Sequence, residues 1–240
     1  MTDPQGPFHK LPGLTIAIPA YNEEAALEET VRECNAAAPA VAEAWEIIII
    51  DDASADRTPE IADRLASRPG VRVIHHPENR GFGGSQQTAF NEAIHPFLVL
   101  VPGDGQFPAQ DIAKLAAGKG EADIVLGVRR SRQDPLQRRV QTKALGFVTR
   151  RLLGLPFRDV NWVKLYKTEF VAGLEIESSR IGVDSEVLLK TRLRGASFAE
   201  VEVSYRPRSG GSAASTHLPT VLRTGAELFR LWLKLKTGRL

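Results

Sequence analysis

Three apolar strands, each running into a polar or acidic turn, organise the first half of the chain: residues 14–18 before Pro19–Glu24, Ile47–Ile50 before Asp51 and Asp52, and residues 97–101 before Pro102–Phe107. Two further apolar runs, near 71–75 and 122–127, complete a set whose first member runs over 14–18 and whose second extends over 45–51. Between them the apolar residues recur at helical spacing, which predicts helices near 23–37, 57–67, 81–94 and 109–117. Unbroken apolar strands such as the four isoleucines indicate burial on both faces. Strand and helix alternating at short intervals predict an α/β fold, a mostly parallel central sheet with helices on both sides. Ser54 or Asp56 can cap the second helix, with Pro59 in its first turn. In an open parallel sheet the C-terminal strand ends share one edge, so the three polar turns are expected to converge on one ligand.

After Gly127 the pattern changes. Residues 129–139 are Arg- and Gln-rich with few apolar positions and read as a loop, followed by a helix near 139–153. Asp159–Lys167 reads as a strand, Asp184–Arg194 as a helix, and Ser197–Tyr205 as a strand. Residues 206–216 are rich in Gly, Ser and Ala and read as flexible. The final segment repeats apolar residues from Leu218 to Leu235 at helical spacing, with Arg223, Arg230, Lys234 and Lys236 among them. The expected organisation is one domain over 1–216 and a basic amphipathic helix over 217–240.

Composition narrows the partners. The net charge of +2 over 240 residues hides an asymmetry, since acidic turns lie in the first half and basic residues concentrate after about Arg129. That basic half suits phosphates, while the overall balance and the spacing of aromatics exclude a nucleic-acid binder. Cys34 is the only cysteine, so neither a disulfide framework nor a thiolate metal site can form within one chain. A reducing, cytoplasmic setting is expected. Residues 1–13 do not read as a signal peptide, and no run approaches the roughly 18 apolar residues needed to cross a bilayer.

Each motif has a plain reading beside a chemical one. Pro19–Glu24 leaves a buried strand and opens a helix, so backbone amides could face a phosphate while Tyr21 offers a ring and Glu23 an acceptor. A turn with a helix cap explains the same residues. Asp51 and Asp52 could accept from a base N–H or from ribose hydroxyls, or could cap the helix that follows. Asn79, Arg80 and Gly81 open a glycine cluster that lacks both the Walker spacing and the dinucleotide fingerprint; it marks close approach of backbone to a neighbour or ligand. Asp104 on a sharp turn, with Gln106 two residues on, suits a hard divalent cation shared with a diphosphate, although Pro-Gly-Asp-Gly is also ordinary turn chemistry. Asp184 and Glu186 near a helix start could serve as a general base or favour the helix dipole. Arg206 and Arg208 could close over phosphate oxygens or sit in solvent.

As a set, Ile18–Glu23, Ile50–Ser54, Asn79–Gly81, Asp104–Gln106, Gly127–Arg129, Asp159, and Arg208 with Gly211 resemble the family 2 glycosyltransferases of the GT-A fold, a Rossmann-like three-layer architecture. They resemble in particular the branch that includes dolichyl-phosphate mannose synthase. The resemblance implies transfer of a sugar from a nucleotide diphosphate, assisted by Mg or Mn. It places Pro19, Tyr21 and Glu23 in the nucleotide pocket, Asp51 or Asp52 on the base or ribose, Asp104 and Gln106 on the metal, and Arg129 and Arg208 on phosphates. Asn79, Arg80 and Gly81 belong to the same donor-binding set. Three departures stand out. Pro102 occupies the position of a second acid, leaving one carboxylate for the cation. Residues 159–164 are shorter than the usual glycine- and aromatic-containing form. The run 209–215 lacks the usual lysine, which shifts diphosphate closure onto Arg206, Arg208 and Lys164.

The mechanism so implied is an inverting transfer in which an acceptor oxygen attacks the anomeric carbon while cation and arginines stabilise the departing diphosphate. A polyprenyl- or dolichyl-type lipid phosphate needs no base; a saccharide hydroxyl would need Asp184 or Glu186. The terminal helix could lie on an anionic bilayer at the cytoplasmic face of a membrane, or pack on its own core or on a second copy in a homodimer. Competing readings are a non-catalytic nucleotide-sugar-binding module and a sugar nucleotidyltransferase. The latter would carry a glycine-rich basic loop after the first strand, where this chain has Pro19–Glu23.

Overall fold

A computed structural model of the chain describes residues 9–130, 146, 149–178, 182–207 and 218–238. In chain order the elements are β1 (Leu14–Ala20), α1 (Leu27–Val41), β2 (Trp45–Asp51), α2 (Thr58–Ala66), β3 (Val71–His75), α3 (Gly81–Glu92) and β4 (Phe97–Leu100). They continue with α4 (Ile112–Ala117), β5 (Ile124–Arg129), β6 (Lys164–Lys167), α5 (Val183–Leu193), β7 (Phe198–Val203) and α6 (Leu218–Lys236). The strands form one seven-stranded sheet in the order β3-β2-β1-β4-β6-β5-β7. All neighbours are parallel except β6, which runs antiparallel to both β4 and β5.

Burial explains the three layers. Along β2 the isoleucines alternate between faces: Ile47 and Ile49 join the layer of α1, α2 and α4, and Ile48 and Ile50 join the layer of α3, α5 and α6. On one side Leu27, Val31 and Cys34 of α1 meet Ile61 and Leu65 of α2. On the other, Phe90 of α3 packs edge-on to Tyr166 of β6 beside Val187 and Leu188 of α5. The terminal helix joins this second layer through Leu228 and Leu231, with Trp232 and Leu235 packed against it.

The C-terminal ends of β1 to β5 lie along one edge, and because β6 runs the other way its first residue, Lys164, reaches that edge too, paired with Leu126 near the end of β5. The predicted strand over Asp159–Lys167 is thus shorter, since only Lys164–Lys167 pairs. Asp159 is drawn instead to Arg129 at the end of β5. The first helix begins at Leu27 rather than near residue 23, because the intervening residues are bonded into the loop after β2. The helical stretch 149–153 falls within the helix expected near 139–153, whose earlier part, like most of the expected loop 129–139, lies outside the described residues.

Candidate active site

Two loops at the sheet edge are laced together. After β1 the backbone N–H of Asn22 donates to Ser54 Oγ (3.0 Å) and that of Glu23 to Thr58 Oγ1 (2.8 Å). In return the N–H of Ala55 donates to Asn22 Oδ1 (2.8 Å). Asn22 and Ala53, one in each of these loops, both hold left-handed backbone, φ 56° and 58°. A third loop is drawn in where the Gly103 N–H donates to the Pro19 carbonyl (3.2 Å). A Cβ at residue 103 would stand 3.0 Å from that oxygen, so the close approach favours glycine. The amides of Glu23 and Glu24 are therefore committed to Thr58 and Asp56, which corrects the expectation that they face a phosphate.

Between these loops opens a cleft of about 200 Å³ lined by Pro19, Ala20, Tyr21, Glu23, Asp52, Phe82, Ser85, Pro102, Gly103 and Asp104. Residues from the ends of β1, β2 and β4 and from the start of α3 meet there. Tyr21 is 48% exposed, its ring unused by the core. Asp104 Oδ1 accepts the Gln106 N–H (3.0 Å), which shapes the turn.

Asp51 and Asp52 are both buried and take different partners. Asp52 Oδ1 accepts from Arg80 N–H and Oδ2 from Gly81 N–H, each at 2.8 Å, so this carboxylate caps the start of α3. Its Oδ1 also lies 2.7 Å from His76 Nδ1, whose Nε2 is 2.9 Å from Thr88 Oγ1. Asp51 Oδ1 accepts the Ser54 N–H, and Oδ2 lies 2.8 Å from His75 Nδ1. Neither histidine carried an expected role. For His75 the signal was position: β3 pairs with β2 so that His75 stands opposite Asp51 on the last rung, at the edge. Asn79 supports the same corner, its Oδ1 accepting Gly81 N–H at 3.2 Å.

Other expected site residues have their side chains occupied away from the cleft. The Arg129 guanidinium makes a two-pronged pair with Asp159 (2.7 and 2.9 Å), and lies 4.6 Å from the Trp162 ring centroid. Both side chains are buried, so phosphate binding by Arg129 would have to break this pair. Gln106 donates its amide to the Tyr205 hydroxyl (2.8 Å) rather than turning toward the cleft. Arg206 pairs with Glu33 (2.7 Å), while its backbone N–H bonds the Gln106 carbonyl and holds it beside the Asp104 turn. Lys164 donates to Asp184 Oδ1 (2.7 Å) and to the Trp162 carbonyl (2.8 Å). Burial pushes the pKa of Asp184 up against the opposing pull of Lys164. Glu186 is buried and accepts from the amides of Glu177 and Ser178 and from Lys190 Nζ (2.6 Å). Burial works to raise its pKa, and Lys190 with these amides outweighs it and holds Glu186 below the ordinary range. Its oxygens are filled by the fold, which leaves Asp184 the better placed of the two acids. Arg208 lies outside the described residues.

Among the described residues no group of three or more His, Cys, Asp or Glu is arranged to hold a metal. A single carboxylate in an open cleft nonetheless fits a cation that takes its other oxygens from a diphosphate and water, as Mg commonly does. Asp104 satisfies that description and Gln106 does not.

A mostly parallel α/β sheet with a polar cleft at the carboxyl ends of its strands defines a three-layer protein of the GT-A fold, with its candidate ligand site at that edge. The chain belongs to Glycosyl transferase family 2, whose profile matches residues 15–175. It is 29% identical over 212 residues to an undecaprenyl-phosphate 4-deoxy-4-formamido-L-arabinose transferase of Pectobacterium carotovorum, covering 87% of this chain and 64% of that protein. It is also 29% identical over 234 residues to glycosyltransferase AglD of Haloferax volcanii, covering 92% and 37% respectively. The chain thus spans less than two thirds of these relatives. Among solved structures, glucosyl-3-phosphoglycerate synthase of Mycobacterium tuberculosis with Mn2+, UDP-glucose and phosphoglyceric acid shares the fold at TM-score 0.71 and 18% identity, over 92% of this chain and 80% of that one. The same enzyme with Mg2+ and UDP gives a TM-score of 0.68 at 17% identity, over 92% and 79%.

Proposed function

We propose that the protein transfers a sugar, with inversion, from a nucleotide diphosphate to the phosphate oxygen of a polyprenyl-type lipid. The observation that carries this reading is the convergence of Tyr21, Glu23, Asp52 and Asp104 from three strand ends into one cleft, in a chain of a glycosyltransferase family. Asp52 and Tyr21 make the base and ribose end, and Asp104 the diphosphate end. A divalent cation held at Asp104 would neutralise charge on the departing diphosphate. Arg206, whose backbone is held beside the same turn, would have to leave Glu33 before its fork could bind those oxygens.

The setting of Asp184 supports this acceptor class. One of its oxygens is taken by Lys164, which suits a positioning role, and a phosphate oxygen arrives already ionised and needs no base. The named relatives that act on undecaprenyl phosphate support the same class. The terminal helix is consistent with it. Leu228 and Leu231 are buried while Phe229 and Leu233 face outward with Arg230 and Lys236, a surface suited to anionic lipid headgroups. No helix among the described residues is long and apolar enough to cross a membrane.

One transfer assay tests these points together, with undecaprenyl phosphate in anionic liposomes and UDP-, GDP- and dTDP-sugars as donors. The expected result is a lipid-linked sugar, near-normal turnover by Asp184→Asn, and slower transfer in liposomes than in detergent by a Phe229→Ala/Leu233→Ala variant. Product on free saccharides only, with Asp184→Asn inactive, would instead establish a hydroxyl acceptor with Asp184 as base. Donor binding without any turnover would leave a non-catalytic module.

A further inference from the structure

Phe82 is a large apolar side chain in the cleft wall, and 41% of it is exposed. Buried positions of α3 include Ser85, Gln86, Ala89 and Phe90. Phe82 stands three and four residues ahead of Ser85 and Gln86, on the stripe that faces the sheet. A residue on that stripe should be covered. It is not, because Gly81 is bonded level with Asp52, one residue beyond the last position of β2, so the ring reaches past the strands into the cleft. Scattered exposed apolar side chains are ordinary on a convex surface. This one lines a concave site beside Asp52, Glu23 and Asp104.

Its placement is also well fixed. The Asp52 carboxylate holds the amides of Arg80 and Gly81 at 2.8 Å, and Gly81, at φ 70°, lets the chain turn directly into the helix. Tyr21, from the end of β1, is the second exposed ring of the same cleft. The helix that bears Phe82 covers the opposite face of the sheet from α1, which follows Tyr21. Two rings thus reach one cleft from different layers, with a buried carboxylate between the elements that carry them.

We infer that Phe82 is a donor-binding residue that provides, with Tyr21, the stacking surface for the nucleobase at the Asp52 end of the cleft. The inference rests on the donor reading above. An exposed ring in a polar cleft gains by covering the flat face of a base, and such stacking tolerates any base. Selection among bases is then left to polar groups such as Asp52.

Calorimetric titration tests this on the full chain, first with UDP, GDP and dTDP and then with the matching glucose-bearing donor. Phe82→Ala is expected to weaken the nucleotide and its sugar-bearing form alike, by about tenfold, the scale of one lost stacking contact. Phe82→Tyr should bind near the wild-type level, and both variants should melt as the wild type does without ligand. Wild-type affinity in Phe82→Ala would overturn the inference, as would a loss confined to the sugar-bearing ligand, which would put the ring against the sugar. If wild-type protein binds none of the three nucleotides, the donor reading itself falls; if it binds and Phe82→Ala binds equally, only the stacking role falls.

Discussion

At the scale of single residues, the carboxylates of this chain divide by what occupies their oxygens. Asp104 lines the cleft and accepts from the Gln106 N–H of its own turn, whereas Glu186, just as acidic on paper, is buried against two amides and a lysine outside the cleft. Sequence shows both as acids near a turn or helix start; only the partners distinguish them. Asp51 and Asp52 fall between, buried and bonded yet next to the cleft, and each faces a histidine: His75 at the end of β3 and His76 just beyond it. The Asp51 carboxylate raises the pKa of His75, with burial opposing and Asp63 adding to the rise. A raised folded-state pKa gives stability that is fully present below the ordinary imidazole range and is lost as pH climbs through the raised value. Thermal melts of wild type and His75→Gln should therefore differ in favour of the wild type at about pH 5.5 and converge near about pH 8. A gap that does not change with pH would contradict the pairing.

At the scale of elements, what was legible was what local pattern dictates. The buried strands β1, β2 and β4 announce themselves as unbroken apolar runs, and α1 and α2 by their spacing. The antiparallel sense of β6 was not legible, because four paired residues carry no directional signal, yet that reversal brings Lys164 to the edge where Asp184 waits. Phe82 was passed over because glycines around it drew the reading toward backbone geometry. Arg129 shows the converse case: a basic residue at a strand end suits a phosphate, and its partner Asp159, 30 residues away, is visible only in three dimensions. That pair ties the end of β5 to the segment before β6, beneath Trp162 and Tyr205. Asp159→Ala leaves the arginine buried without its counter-charge and should cost about 3 kcal/mol in denaturant unfolding, since breaking a buried pair from one side is far costlier than losing a surface pair. A loss under about 0.5 kcal/mol would mean the pair is effectively exposed.

At the scale of the whole molecule, the fold's contribution is to gather distant residues along one edge. The order β3-β2-β1-β4 sets Asp52, Tyr21 and Asp104 side by side, though they lie more than eighty positions apart at the extremes. The remaining strands bring Lys164 and Tyr205 to the same edge, and α6 closes the layer beneath α5 while keeping Phe229 and Leu233 outside. The central claim is that this edge seats a nucleotide-diphosphate sugar with Asp104 at its charged end. Thermal unfolding of wild type and Asp104→Asn with UDP-, GDP- and dTDP-sugars, each with and without Mn, tests it most directly, because a ligand bound only by the folded state raises the melting temperature with its affinity. The account predicts that at least one donor stabilises the wild type, more so with Mn, and that Asp104→Asn loses the Mn-dependent part. No stabilisation by any of the three donors, or an equal Mn-dependent shift in Asp104→Asn, would contradict it.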